Sequence, residues 1–443
     1  MSIPVGLKTA LNEIRETSID NGTLYHRYVP VIMDDTDIGS FASPILSNPN
    51  VMNEFMNVLV QRIVYTQVET KLFRNPLRVL EGDRIPLGAV GQEIAVNPAK
   101  ANRFDVDDFA GLLAKYEADV KVQYTKINSD LQYKVTITRA KLKDAFVSWS
   151  TLENFIDGLT QSLYNGAYID QYNLTKGLVS SAYKSNQIIT EVVSAVNSEA
   201  NAKAFITKAR EIFLNMQTPT TKYNAWAKVG GYGRELLTWT NPEDVVFLIR
   251  NDLASYIDVN VLAAAFNIDR ATLLGNIIYV NDFDVYDDGE KVFDGSNIVG
   301  FMGDKSFFRI KEQETTMDQF YNCNNRTWQY MLNIVRMYAY SLFANGVCFC
   351  TAAPSVPATE LKFNETSPSV AAGSKITLSI TTKPFQANPT ITFTSGTEAK
   401  ATVTKIDDKH VEVTGEEAGT SVITATDGTH SATVTVTVTS ADA

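Results

Sequence analysis

The 443-residue chain has little of what most enzyme centres are made from. It holds 3 cysteines and 3 histidines. That is a thin stock for metal sites, redox pairs or general-base catalysis. Basic residues are also short, at 39 against 50 acidic, for a net charge of -11. A protein whose main task is to grip nucleic acid needs a basic footprint, so the balance argues against that class, though a local basic patch stays open. No apolar run approaches the ~20 residues of a membrane span. The start, Met1-Ser2-Ile3-Pro4-Val5-Gly6, has neither a basic region nor an apolar core, so no secretory signal is expected. Nucleotide loops, nucleophile elbows and His-Glu-x-x-His zinc motifs are missing from the sequence.

What is present is material for a core. Hydrophobic residues make up 44% of the chain, enough to exclude global disorder. The length suggests two to four domains. Cys323, Cys348 and Cys350 form no Cys-x-x-Cys pair, which speaks against a disulfide scaffold and for a reducing compartment. Cys348 and Cys350 alternate with Phe349 and would share one face of a strand as buried thiols.

Composition changes sharply near residue 354. The stretch Thr351–Thr359 carries two prolines among small residues and reads as a linker. Beyond it, residues 361–443 hold 19 threonines and no Arg, Trp or Tyr. Short alternating runs recur there, at 376–380, 390–394, 401–404, 410–414, 421–425 and 432–438. Period-two patterning in β-branched residues predicts half-buried strands, and glycines between them mark turns. The prediction is a small all-β sandwich of about 80 residues.

The body is α+β. Val51, Phe55, Leu59 and Ile63, widened by Met52, Met56 and Val60, predict a helix after the Ser47–Asn50 turn signal. Residues 64–100 look like a long hairpin-like excursion, which Val120–Tyr124 and Tyr133–Thr138 could return. An exposed ribbon is marginal without partners. Ser150 or Thr151, with Glu153, predicts a helix start. That helix runs as far as Ser181. One or two further helices are expected over 188–214, and another over 258–266. Strands are expected at 245–249 and 277–280.

Several clusters are candidates for chemistry. Gly230-Gly231-Tyr232-Gly233 lacks the strand-to-helix setting of a phosphate cradle and reads as a flexible turn. His26, His410 and His430 form no cluster. Residues 281–290 are densely acidic, and Asp282, Asp284, Asp287 and Asp288 are cation candidates. Their spacing is not that of a calcium loop, and a solvated acidic loop is the plainer reading. Lys71, Arg74, Arg78 and Arg84 could reach a neighbouring subunit's carboxylates, such as Asp105, Asp107 and Asp108. Ordinary solvated charge is the blander reading of the same residues.

Islands of the body resemble the major capsid protein of phi29-like short-tailed phages. They are Leu142–Ser150 running on through Glu153-Asn-Phe155 to Leu163-Tyr-Asn165, then Asp258–Arg270, with Leu274-Gly-Asn276 and Asp282-Phe283. Trp328-Gln-Tyr330, Phe343-Ala-Asn345, Asn75-Pro76-Leu77 and Ile85-Pro86-Leu87-Gly88 match as well. The resemblance implies an HK97-type capsid body. It would comprise an N-terminal arm and first helix (1–64), an extended loop (65–140) and a peripheral-domain spine helix (141–184). An axial domain (185–325) and a return to the peripheral domain (326–353) would follow. After the linker (354–360), the tail (361–443) resembles a bacterial immunoglobulin-like group 2 domain, carried on the outside of the shell.

The implied function is structural, without enzymatic activity or cofactor. Copies of the chain would self-assemble into pentamers and hexamers of an icosahedral or elongated head enclosing double-stranded DNA. Implied partners are a separate scaffolding protein, a portal, and a head fibre or host surface met by the tail; no membrane is involved. The implied location is the virion, after synthesis in the host bacterial cytoplasm. The competing reading is a secreted glycan-binding or surface protein or enzyme with an accessory β-module. It would want a signal peptide and a convergent carboxylate or aromatic cleft.

Overall fold

The computed structural model describes residues 5–56, 73–99, 101, 115, 117–229, 235–256, 277–287 and 290–440. The chain divides into two compact units. The first takes Met1–Gly91, Thr125–Thr175 and Ile310–Tyr338; the second takes Gln92–Tyr124, Lys176–Arg309 and Ala339–Ala443.

The first unit is built on a three-stranded sheet in the order Phe308–Asn322, Thr327–Tyr340, Ser129–Thr138. The last two strands are antiparallel, from Thr327 opposite Thr138 to Arg336 opposite Ser129. Tyr133–Thr138 therefore belongs to this sheet and does not return the excursion. Its apolar residues gain a larger partner, since Trp328, Tyr330 and Leu332 face a helical layer. That layer includes Leu142, Trp149, Leu152, Leu163 and Ala167. The N-terminal region adds Leu11 and Ile14 from the helix Val5–Asp20, and Phe41 and Ile45 from Ile38–Ser47. Val51, Met52, Phe55 and Met56 are buried as their spacing predicts; Leu59, Val60 and Ile63 lie outside the described residues. Phe41 packs against Phe55, Phe146 and Trp149 with ring centroids 6.1, 5.9 and 5.2 Å apart.

The helix Trp149–Lys184 spans 36 residues, roughly 54 Å at 1.5 Å per residue. Its cap is Ser148, whose Oγ accepts the Thr151 N–H at 3.1 Å, so the start precedes Ser150 and Thr151. Gly166 sits where a Cβ would stand 3.3 Å from the Tyr133 ring, which lets the helix approach the sheet closely.

The core of the second unit is a mixed five-stranded sheet. Its order is Ile189–Val192, Gly346–Cys350, Ile298–Asp304, Val245–Arg250, Ile277–Val280. The strand Ile189–Val192 lies in a stretch expected to be helical. It is recruited by parallel pairing with Gly346–Cys350, a non-local partner that local periodicity does not register. The helix Glu199–Met216 lays Phe205, Ala209, Ile212, Phe213 and Met216 on Phe247, Ile249, Val347 and Phe349. Cys348 and Cys350 are buried, and burial pushes both thiols up, Cys350 to about 11. Cys323 is exposed. The Gly230–Gly233 turn and the 258–266 helix lie outside the described residues.

The C-terminal segment forms two four-stranded sheets around one shared core. One orders Glu360–Phe363, Lys375–Lys383, His410–Gly415, Ala401–Lys405; the other orders Ser369–Ala371, Ser431–Thr439, Gly419–Thr426, Thr392–Ser395. Leu378, Val411, Val413, Ile423, Ala425 and Val436 are fully inside. The strands Glu360–Phe363 and Ser369–Ala371 add to the expected set, recruited by pairing with Lys375–Lys383 and Ser431–Thr439. None of the described helices is long and apolar enough to cross a membrane.

Candidate assembly surface

Two strands, Gly91–Val96 and Val120–Thr125, pair alone as a ribbon. Asn97 N–H donates to Asp119 O at 3.1 Å, and Thr125 Oγ1 donates to Gly91 O at 3.3 Å. The strands therefore run in opposite directions. Alternation gives the ribbon two unlike faces.

The inner face is polar and tied to the chain's own body. Glu93 pairs with Arg309 and accepts from Ser341 Oγ at 2.7 Å. Gln123 donates to Tyr340 O and accepts the Leu342 N–H, both at 2.9 Å. Lys121 is buried and its ammonium lies 2.5 Å from Asp119. Asn97 binds Glu235 O and the Leu237 N–H at 2.8 and 2.9 Å.

The outer face is apolar. Ile94 is 57% exposed, Val96 51%, Val120 50%, Val122 37% and Tyr124 67%. A lone soluble ribbon places such residues inward. Covering each of these side chains would contribute about 1–2 kcal/mol. An apolar patch backed by satisfied polar groups is the signature of a contact surface.

The charged candidates divide. Arg84 forms an ion pair with Glu312 of its own chain at 2.7 Å, so its first carboxylate is internal. Glu312 also holds Arg336 at 2.7 Å, and Glu81 holds it at 3.0 Å. Arg336 is buried, which lowers its pKa, yet Glu81 and Glu312 outweigh this and keep the guanidinium firmly charged. The segment 81–85 is pinned beside the strand, with the Gly82 N–H on Ile310 O and the Ile85 N–H on Glu312 O, both at 2.9 Å. Arg74 and Arg78 are exposed. Lys71, Asp105, Asp107 and Asp108 lie outside the described residues.

The acidic loop is tied to lysines. Lys176 is buried and its Nζ lies 2.6 Å from Asp282. Asp284 takes Lys291 Nζ and the Gly295 N–H, both at 2.8 Å. Asp287 is exposed and Asp288 lies outside the described residues. Among the described residues no group of three His, Cys, Asp or Glu could hold a metal. His410 and His430 each bind an aspartate three residues earlier, Asp407 and Asp427, at a turn. The His26 N–H donates to Ser18 Oγ at 3.0 Å, and its Nδ1 lies 3.3 Å from the same hydroxyl. Sequence reasoning missed the ribbon's sidedness, although the alternation of Ile94, Val96, Val120, Val122 and Tyr124 carries it.

Comparison with known proteins defines the class first. The fold is that of a phage capsid subunit: a chain from the capsid of Staphylococcus phage Andhra superposes with a TM-score of 0.52 at 15% identity, covering 65% of this chain and 87% of that one. The chain belongs to the Phi29-like phage major capsid protein family, which matches residues 11–350. The major capsid protein of Bacillus phage B103 is 30% identical over 345 residues, 77% of this chain and 72% of its own length. That of Bacillus phage PZA is 27% identical over 341 residues, 76% and 72% respectively. The protein is thus a structural component of a virion capsid that associates with itself, and it is not an enzyme. The glycan-binding alternative is left without support.

Proposed function

We propose that the chain builds a closed head from pentamers and hexamers on an HK97-type fold, with each ribbon laid on a neighbouring copy. The observation that carries this is the ribbon's inverted sidedness. Its polar face is anchored within its own chain, and its apolar face is open. Burial of that face on a second copy would supply the partner that a two-stranded sheet needs. Many modest contacts of this kind close a shell. In this reading residues 65–140 are the extended loop, 141–184 hold the spine helix and 185–325 form the axial domain. Arg74 and Arg78, with Lys71, face carboxylates of a neighbour.

The net charge of -11 suits a lining that encloses double-stranded DNA without gripping it. Residues 361–443 are an immunoglobulin-like group 2 module on the outside, available to a head fibre or the host surface. A separate scaffolding protein and a portal complete the assembly. Asp282 and Asp284, held by Lys176 and Lys291, belong to an acidic loop and not to a cation site.

The test is assembly. The purified chain, with and without a scaffold, is expected to form closed particles or sheets by negative-stain microscopy. Replacing Ile94 and Tyr124 by lysine should abolish them while leaving a folded subunit. A chain that stays monomeric at high concentration under both conditions would overturn the reading.

A further inference from the structure

The junction between the body and the C-terminal module has the composition of a flexible linker, yet polar groups at its two ends and in its middle are engaged on both sides. The Thr351 N–H donates to Asn297 O at 2.8 Å, and Tyr183 Oη donates to Ala352 O at 2.6 Å. Pro354 and Ala358 are buried. On the module side, Asn388 Nδ2 donates to Pro354 O at 2.7 Å. The same side chain accepts the Val356 N–H through Oδ1 at 2.8 Å, and the Asn388 backbone N–H donates to Val356 O at 3.0 Å. The Thr359 N–H donates to Lys383 O at 2.6 Å. A free tether would leave these groups to water.

A second connection runs through Asn186. This residue ends the long helix in the left-handed region, with φ 53°. Its N–H donates to Tyr183 O and the Gln187 N–H to Ala182 O, at 2.9 and 2.8 Å. Glycine is the usual residue at such a cap, because it has no Cβ to strain. Asparagine tolerates the conformation and adds an amide. Only 6% of Asn186 is exposed, and both ends of its amide are engaged. Lys228 Nζ donates to Oδ1 at 2.6 Å, and Nδ2 donates to Gln386 O, in the module, at 2.7 Å. Lys228 also donates to Ile188 O at 2.9 Å. An ammonium can only donate, so it fixes the amide oxygen towards itself and turns the N–H towards the module. On the module side, Lys409 Nζ donates to Phe385 O at 3.3 Å and lies 4.7 Å from the centroid of that ring. Gln386 thus sits on a supported turn.

We propose that the C-terminal module is docked on the body in one orientation by an Asn186 latch, and that residues 351–359 are a strap and not a tether. Lys228 sets the polarity of the latch, Asn186 transmits it, and Gln386 receives it. If copies of the body repeat in a shell, the modules repeat at one angle and form an ordered outer layer; this last step alone rests on the assembly reading.

Limited proteolysis of the full, unassembled chain tests the latch. Asn186→Asp keeps the cap and the partnership with Lys228 but sets a carboxylate oxygen against Gln386 O. The strap of this variant should be cut about fivefold faster or more, since cleavage follows the open population and one buried hydrogen bond is worth about that factor. Asn186→Gly, which keeps the left-handed cap and removes both bonds, should behave the same way. Both should keep the body's thermal transition. Wild-type strap cut as fast as an unstructured segment, or variants cut at the wild-type rate, would overturn the proposal. Loss of the body fold in both variants would also overturn it, by making Asn186 a core residue of the body. None of these outcomes bears on whether the chain assembles.

Discussion

Two regions of this protein share a period-two alternation and obey opposite rules. In the C-terminal module the apolar set, Val411, Val413, Ile423, Ala425, Val434 and Val436, faces inward and the threonines face water. In the ribbon the polar set, Glu93, Lys121 and Gln123, faces the chain's own body. Ile94, Val96, Val120, Val122 and Tyr124 face out. The module has two sheets that bury each other's apolar faces, so it is satisfied as a monomer. The ribbon has one sheet and a polar support, so its apolar face waits for another chain. Alternation reports that a strand has two faces; it does not report which face is covered.

This contrast can be broken in a definite order. The largest effect is expected from Val413→Asp, which sets a charge at a fully buried position. It should cost about 3–5 kcal/mol and unfold the module. Calorimetry should lose the module's transition while particles still form. Deleting 358–443 should likewise leave assembly intact in electron micrographs, and complete loss of particles would sink the idea of an appended module. Next comes the ribbon. Ile94→Lys with Tyr124→Lys should change subunit stability by less than about 0.5 kcal/mol, as exposed substitutions do, yet lower particle yield about tenfold or more in sedimentation. Equal losses of stability and assembly would show that the outer face serves the subunit itself.

A smaller effect is expected on the ribbon's inner face. Glu93→Leu leaves Arg309 without its carboxylate and should cost about 1–3 kcal/mol. Amide exchange over 91–96 and 120–125 should quicken, with the module unchanged. The smallest effect is a pH dependence at Lys228. Burial is the main cause that pushes its pKa down to about 8, with Lys409 adding to it and Cys350 and Cys348 opposing it. The unfolded chain therefore binds more protons between about pH 8 and the ordinary lysine value near 10.4. Stability from this group rises with pH across that window. Comparing wild type with Lys228→Met in denaturant melts at pH 7 and pH 9.5, the balance should shift towards wild type at the higher pH. A pH-independent difference would mean that Lys228 is not buried in solution.

Legibility in the sequence followed the range of the interactions. The helix face Val51, Met52, Phe55, Met56 and the apolar strand at 245–249 were readable, because their partners repeat at a local spacing. The strand Ile189–Val192 was not, because its reason for being extended is Gly346–Cys350, far along the chain. The segment Tyr133–Thr138 was readable as a strand but not as a neighbour of Thr327–Arg336. The acidic loop could be found by composition. That Lys176 answers Asp282 could not, since charge pairing across a hundred residues leaves no spacing to read. The capping serine was missed by two positions because Ser148, Ser150 and Thr151 are equivalent donors and acceptors in one dimension.

By itself the sequence determined the scarcity of catalytic side chains, the α+β body, the threonine-rich β-module and the change of composition between them. These follow from residue counts and short-range periodicity, which survive without a fold. Tertiary structure alone decided which face of the ribbon is open, that Arg84 is answered within its own chain, and that the proline-containing junction is strapped at both ends. Each of those depends on which distant groups meet, and a backbone N–H or an apolar face acquires its role only when its partner is in place.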